Sequence, residues 1–175
     1  MKETVKVLFS EKEVTDRIKK MGEEISTQYE GCSSLRLICI LKGGVFFMTE
    51  LAKNIKVPCT IDFMSVSSYA DKTQSSGRIR IIKDLDESID GKDVLIVEDI
   101  IDSGRTLSYL MDMLKQRKPR SLKLCTLLDK PDRREVEVNV DYSGFTVPDT
   151  FIVGFGLDYA QRYRNLPFIG TLDFT

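Results

Sequence analysis

Val94-Leu95-Ile96-Val97-Glu98-Asp99-Ile100-Ile101-Asp102-Ser103-Gly104-Arg105-Thr106 is the stretch on which the fold turns. It opens as an unbroken apolar run, the pattern of a parallel strand covered on both faces. It closes on Ser-Gly-Arg-Thr, after which Leu107, Leu110, Met111 and Leu114 recur at the helical spacing i, i+3, i+4, i+7. Strand, tight loop and helix in succession aim backbone N–H groups and the positive end of a helix dipole at an anion. Three carboxylates, Glu98, Asp99 and Asp102, crowd the same turn. Two like charges about 4 Å apart repel by roughly 4 kcal/mol at an effective dielectric near 20. A cation, a hydroxyl-rich ligand or a shared proton would relieve that crowding. The stretch therefore calls for a ligand that carries phosphate together with hydroxyl groups or metal ions.

Strands and helices alternate outward from this point. Residues 4–9 read as a short strand. Ser10 and Glu13 form a capping box, and Val14, Ile18, Met21 and Ile25 mark one face of the helix that follows, with Gly31 near its end. Residues 35–41 read as a buried strand running into Lys42-Gly43-Gly44, with a helix over residues 45–55. The two glycines admit either a plain strand-to-helix turn or close approach of the backbone to an anion. Residues 57–66 alternate as a strand with one wetter face. The polar segment 67–77 reads as a lid or as a mobile hairpin tip. Residues 78–83 form a strand, and Asp90-Gly91-Lys92 turns into the central run. Pro119 stops the helix that begins near Leu107. Residues 122–128 form another strand, followed by the charged run Asp129-Lys130-Pro131-Asp132-Arg133-Arg134, which reads as a solvated loop apart from Lys130. That lysine lies beyond the carboxyl end of a strand, where ligands sit in open α/β sheets. Residues 151–155 are expected as the last short strand. This alternation implies one α/β domain with a mainly parallel sheet.

Composition narrows the chemistry. The 175 residues suffice for one core, and a net charge of -1 provides no basic field for nucleic acid. There is no histidine, which excludes Ser-His-Asp and Cys-His catalysis and every His-ligated metal site. Acid–base work then falls to a carboxylate, lysine, tyrosine or cysteine, and any metal would be hard and oxygen-bound, like Mg²⁺. Of the four cysteines, Cys39, Cys59 and Cys125 sit in apolar runs and read as core residues; neither disulfide nor zinc is expected. No signal peptide or membrane-length apolar run is visible, so a cytoplasmic protein with no membrane partner is expected.

The run Val97–Thr106 resembles the phosphoribosyl-pyrophosphate motif of the type I phosphoribosyltransferases. Leu-Lys-Gly-Gly at 41–44, Ser-Ser-Tyr at 67–69, Leu-Leu-Asp-Lys-Pro at 127–131, and Phe-Ile-Val-Gly-Phe-Gly-Leu-Asp-Tyr at 151–159 followed by Arg164 narrow the similarity to the hypoxanthine-guanine branch. The resemblance implies that family's fold as a single domain over residues 1–175. It would carry a lid at 67–77 and a small hood built from the N-terminal segment and residues 129–175. It implies a salvage enzyme that transfers a 5-phosphoribosyl group from phosphoribosyl pyrophosphate to hypoxanthine or guanine, giving IMP or GMP. Asp102 would be the acid–base group. Glu98 and Asp99 would face the ribose diol. Ser103, Gly104, Arg105 and Thr106 would hold the 5'-phosphate, with Ser103 standing where the family commonly has Thr. Lys42, Gly43 and Arg164 would bind pyrophosphate, Lys42 and Gly43 often through a non-proline cis peptide. Lys130, Phe151 and Ile152 would hold the purine, and Ser68 and Tyr69 would belong to the lid. Mg²⁺ would be held by Glu98 and Asp99, with a second ion near Asp158, and the chain would be a homodimer or homotetramer. Two rivals stay open: the same fold acting on xanthine or a pyrimidine, and a regulator that keeps the sugar-phosphate site and binds RNA or DNA.

Overall fold

The computed structural model describes residues 2–71 and 74–174, with side chains described outside residues 68–78. The side chains of Ser68 and Tyr69, and with them the expected lid contacts, lie outside the described residues. Among the described residues, nine strands and three α-helices follow in the order β1 (Glu3–Phe9), α1 (Glu11–Gln28), β2 (Leu35–Ile40), α2 (Val45–Asn54), β3 (Cys59–Asp71), β4 (Gln74–Lys83), β5 (Asp93–Ile101), α3 (Arg105–Lys115), β6 (Ser121–Asp129), β7 (Tyr142–Thr146), β8 (Ile152–Val153) and β9 (Ile169–Phe174).

Six strands form one sheet in the order β4-β3-β2-β5-β6-β7, parallel throughout except where β3 meets β4. The apolar runs in β2 and β5 follow from this placement. Alternate residues point to opposite faces, and both faces are covered. Leu35, Leu37, Cys39, Leu95 and Val97 pack beneath α1 and α2. Ile38, Ile40, Val94 and Ile96 pack beneath α3 with Leu107, Leu110 and Leu114. The capping box at the start of α1 forms as expected: Glu13 N donates to Ser10 Oγ at 3.3 Å, and Ser10 N donates to Glu13 Oε2 at 2.8 Å. From β2 the chain steps outward to β3, and from β5 it steps the other way to β6. The crevice at the carboxyl ends of β2 and β5 is therefore the topological switch point, the place where such sheets bind ligands.

Several sequence expectations change. Residues 67–71 and 74–77, expected as loop, extend β3 and β4 as an antiparallel pair, with Ser68 opposite Ile79 and Asp71 opposite Gln74. A partnered ladder satisfies the backbone without an apolar face, so polarity alone does not mark a loop. Residues 151–155, expected as the last strand, supply only the two residues of β8. Gly154, Phe155 and Gly156 all have positive φ, which ends extended structure there. The tail, read without structure, contains β9, which pairs with both β1 and β8 in a second, three-stranded sheet. β7 also went unread. It belongs to the main sheet, so from the range expected for the hood the second sheet takes its strands only from residues 3–9, 152–153 and 169–174. Phe9 stacks on Phe145 at 4.1 Å between ring centroids, joining the second sheet to the edge of the first. Cys39 and Cys125 are buried as expected, Cys59 is only half-buried because β3 has a wetter face, and all four cysteines are free.

Candidate active site

The site is assembled from three loops that leave β2, β5 and β6 at the switch point, together with the turn after β8. At the end of β5, Glu98 Oε1 accepts from Asp99 N at 3.2 Å and Asp99 Oδ1 accepts from Ile100 N at 2.9 Å. Burial, and then the adjacent Asp99 carboxylate, push the Glu98 carboxyl well above the usual carboxylate range. Three residues on, Ser103 O accepts from Glu135 N at 2.9 Å and Val136 N at 3.1 Å, so the loop after β6 straps the turn in place. Gly104 then enters α3 with φ 81 and offers no side-chain cap to the helix. A Cβ there would lie 2.6 Å from Val136 O, so glycine is required by conformation and by space. The uncapped start of α3 leaves backbone donors for an outside acceptor.

The loop after β2 lies against this acidic elbow. The Leu41–Lys42 peptide is cis. A Cβ on Gly43 would lie 1.8 Å from Asp99 Oδ2, so the Asp99 carboxylate rests directly on the Gly43 backbone. On the other side, a Cβ on Gly156 would lie 2.1 Å from Gly43 O. The turn after β8 therefore touches the turn after β2. Two cations meet across that contact: Lys42 Nζ and Arg164 Nη2 each donate to Gln161 Oε1 at 3.4 Å. Arg164 also pairs with Asp158 at 2.7 Å and donates to Gly156 O at 2.7 Å, while its buried Nε has no protein partner.

A cavity of about 410 Å³ opens beside the elbow, lined by Asp99, Asp102, Lys130, Phe151, Ile152 and Asp158, among others. Lys130 is buried; its backbone N–H is tied to Ile101 O at 3.0 Å, and its Nζ donates to Thr150 O at 2.6 Å. Phe151 is half-exposed, with its ring edge-on to Tyr159 at 5.4 Å. A second cavity of about 200 Å³, lined by Glu98, Asp102, Ser103, Gly104 and Thr106, shares Ile100 and Asp102 with the first. Asp102 thus stands between a space with an aromatic and a lysine on its wall and a space at the start of a helix.

Apart from Ser68 and Tyr69, whose side chains lie outside the described residues, the structure brings together the residues expected at the site, with one qualification. Arg105 turns its guanidinium onto Glu135, so the group it brings to the turn is its backbone N–H, 3.4 Å from Ser103 Oγ. Asp158 is expected at a second ion, apart from Glu98 and Asp99, and among the described residues no cluster of three or more carboxylate, cysteine or histidine side chains could hold a metal ion. The sequence reading missed Arg133, Asp149 and Gln161. Arg133 Nε forms an ion pair with Asp102 Oδ1 at 2.8 Å, and its Nη1 donates to Asp149 Oδ1 at 3.3 Å. The available signal was position: residues 131–133 form a single 3₁₀ turn directly after Lys130, on the ligand side of the sheet.

Residues 5–160 match the phosphoribosyl transferase domain family. The hypoxanthine-guanine phosphoribosyltransferase of Bacillus subtilis is 53% identical over 167 residues, covering 95% of this chain and 92% of that protein. The bifunctional protein TilS/HprT of Listeria monocytogenes is 57% identical over 167 residues; the match covers 95% of this chain but spans only 26% of the length of that relative. A crystal structure of hypoxanthine phosphoribosyltransferase from Staphylococcus aureus superposes with a TM-score of 0.92 at 47% identity, covering 96% of this chain and 91% of that one. No helix among the described residues is long and apolar enough to cross a membrane.

Proposed function

The chain belongs to the phosphoribosyl transferase family, and from that premise we propose that it transfers the 5-phosphoribosyl group of phosphoribosyl pyrophosphate to hypoxanthine or guanine, giving IMP or GMP and pyrophosphate. The observation that carries this reading is the position of Asp102, shared by the two cavities. Ser103, Gly104, Arg105 and Thr106 hold the 5'-phosphate at the start of α3, Arg105 through its backbone. Glu98 and Asp99 accept from the ribose hydroxyls. In the larger cavity Phe151 stacks on the purine, Ile152 reads it through the backbone, and Lys130 donates to its 6-oxo group. The reacting purine nitrogen displaces pyrophosphate from ribose C1 through a cation-like sugar, and Asp102 takes the purine proton. Lys42, Arg164 and the Gly43 backbone meet the charge that grows on the departing pyrophosphate. Ser68 and Tyr69 belong to a lid that keeps water from the cation-like sugar.

Magnesium fits the donor set. The site offers hard carboxylate oxygens, few at each place, and the mutual repulsion of Glu98 and Asp99 is relieved by a cation. Glu98 and Asp99 would hold one ion and Asp158 a second, the rest of each shell coming from ligand oxygens and water. Such ions supply charge neutralisation on the phosphates. The family resemblance also supports a homodimer or homotetramer acting in the cytoplasm.

The test is a base panel with phosphoribosyl pyrophosphate and Mg²⁺. Nucleotide from hypoxanthine or guanine, and far less from adenine or uracil, is the expected result. No nucleotide from either 6-oxopurine, together with tight binding to an RNA leader, would replace this reading with that of a sensor.

A further inference from the structure

Asp102 does not face the larger cavity alone. Its Oδ1 forms an ion pair with Arg133 Nε at 2.8 Å, and the same guanidinium donates to Asp149 Oδ1 at 3.3 Å. All three residues line the cavity with Lys130. Side chains three apart eclipse in a 3₁₀ turn, and Arg133 ends the turn that Lys130 begins. The group that would grip a base and the group that grips Asp102 therefore share one short, stiff element. Arg134 Nε steadies the same residue from behind, donating to Asp102 O at 3.1 Å.

A carboxylate placed to take a proton from a purine can also take one from water. With phosphoribosyl pyrophosphate bound and no base present, a water oxygen would bond to ribose C1 as the C1–O bond to pyrophosphate breaks. The water proton would pass to the Asp102 carboxylate, and ribose 5-phosphate and pyrophosphate would leave with no change in oxidation state. A guanidinium 2.8 Å from Oδ1 stands beside the carboxylate this step needs and leaves less room for the water. We infer that Arg133 is a positioning residue that caps Asp102 while the purine site is empty and moves wholly onto Asp149 when a base docks at Lys130. The inference rests on the phosphoribosyl-transfer reading above. Both side chains of the pair are about half exposed, 51% for Arg133 and 48% for Asp102. Pairs of that kind are weak, as a contact exchanged on every turnover has to be.

The experiment compares the full chain with Arg133→Gln, Arg133→Lys and Asp149→Asn, with Mg²⁺ and phosphoribosyl pyrophosphate. Pyrophosphate release is measured without base, and kcat and KM for hypoxanthine with it. Arg133→Gln should raise base-free release roughly two- to fivefold, the range that one exposed ion pair supports. Arg133→Lys, which keeps a cation, should stay near wild type. Asp149→Asn leaves the arginine wholly on Asp102 and should raise KM for hypoxanthine without raising base-free release. Unchanged base-free release in a folded Arg133→Gln protein, or an equal rise in Arg133→Lys, overturns the cap. If Arg133→Gln does not fold, Asp149→Asn decides: an unchanged KM or a rise in base-free release overturns it. A wild-type protein that makes no nucleotide from either base overturns the phosphoribosyl-transfer reading, and the cap with it.

Discussion

Gly43→Ala tests how the two central loops build the site. The new Cβ would lie 1.8 Å from Asp99 Oδ2 and 2.6 Å from its Cγ, so the whole carboxylate must swing away. Swinging gives up the bond from Ile100 N to Asp99 Oδ1, worth about 1 kcal/mol, and forces an off-rotamer side chain at about 1 kcal/mol more. A loss of about 2 kcal/mol corresponds to about 4–8 °C in Tm for a chain of this size. The functional loss should be larger, because a displaced Asp99 would no longer reach the ribose proposed to lie there. A charge-assisted hydrogen bond of about 1.5–3 kcal/mol gives a roughly 10- to 150-fold fall in kcat/KM for phosphoribosyl pyrophosphate. A double-mutant cycle isolates the cause. Asp99→Ala alone should lose the same activity, and Gly43→Ala/Asp99→Ala should lose no more while regaining about half of the Tm lost in Gly43→Ala, the part due to the off-rotamer side chain. Wild-type activity and Tm in Gly43→Ala, or losses that add in the double variant, would refute the reasoning.

Other perturbations probe separate parts of the molecule. Asp102→Asn should lower kcat roughly 10²- to 10⁴-fold with nearly unchanged phosphoribosyl pyrophosphate binding by calorimetry; unchanged turnover would remove Asp102 from the proton transfer. Lys130→Ala should cut kcat/KM for hypoxanthine roughly 10- to 100-fold while moving the KM for phosphoribosyl pyrophosphate little, and equal losses on both substrates would contradict a role at the 6-oxo group. Away from the site, the Arg120 hydrogen bond, followed by those of Ser121 and Cys32, holds the Asp93 carboxyl well below the usual carboxylate range. Its folded pKa is depressed, so its contribution is complete above about pH 4 and is lost as pH falls through the lower folded value. Asp93→Asn should therefore lower Tm at pH 7 and flatten its fall below about pH 4; parallel Tm–pH curves for the two proteins would count against this.

The parts legible in sequence were those whose pattern is local. β2 and β5 announce themselves because strands covered on both faces must be apolar throughout, and α1 because its cap and its buried stripe lie within one segment. β9 and β7 carry no such mark. β9 exists because β1, more than 160 residues away, lies beside it, and β7 because β6 offers an edge. The acidic elbow could be read because charge crowding after a buried strand is unusual. Arg133 could not, because a charged run beyond a strand ordinarily dissolves in solvent. Only the fold shows that its guanidinium turns back onto Asp102.

The function proposed for this chain requires the turn between β5 and α3 to grip a phosphorylated sugar. The most direct measurement is a crystal structure of the wild-type chain with phosphoribosyl pyrophosphate and Mg²⁺. The 5'-phosphate should lie on the backbone of Ser103–Thr106, with the ribose hydroxyls at Glu98 and Asp99. Density for the sugar phosphate elsewhere, with that turn bare, would contradict the claim.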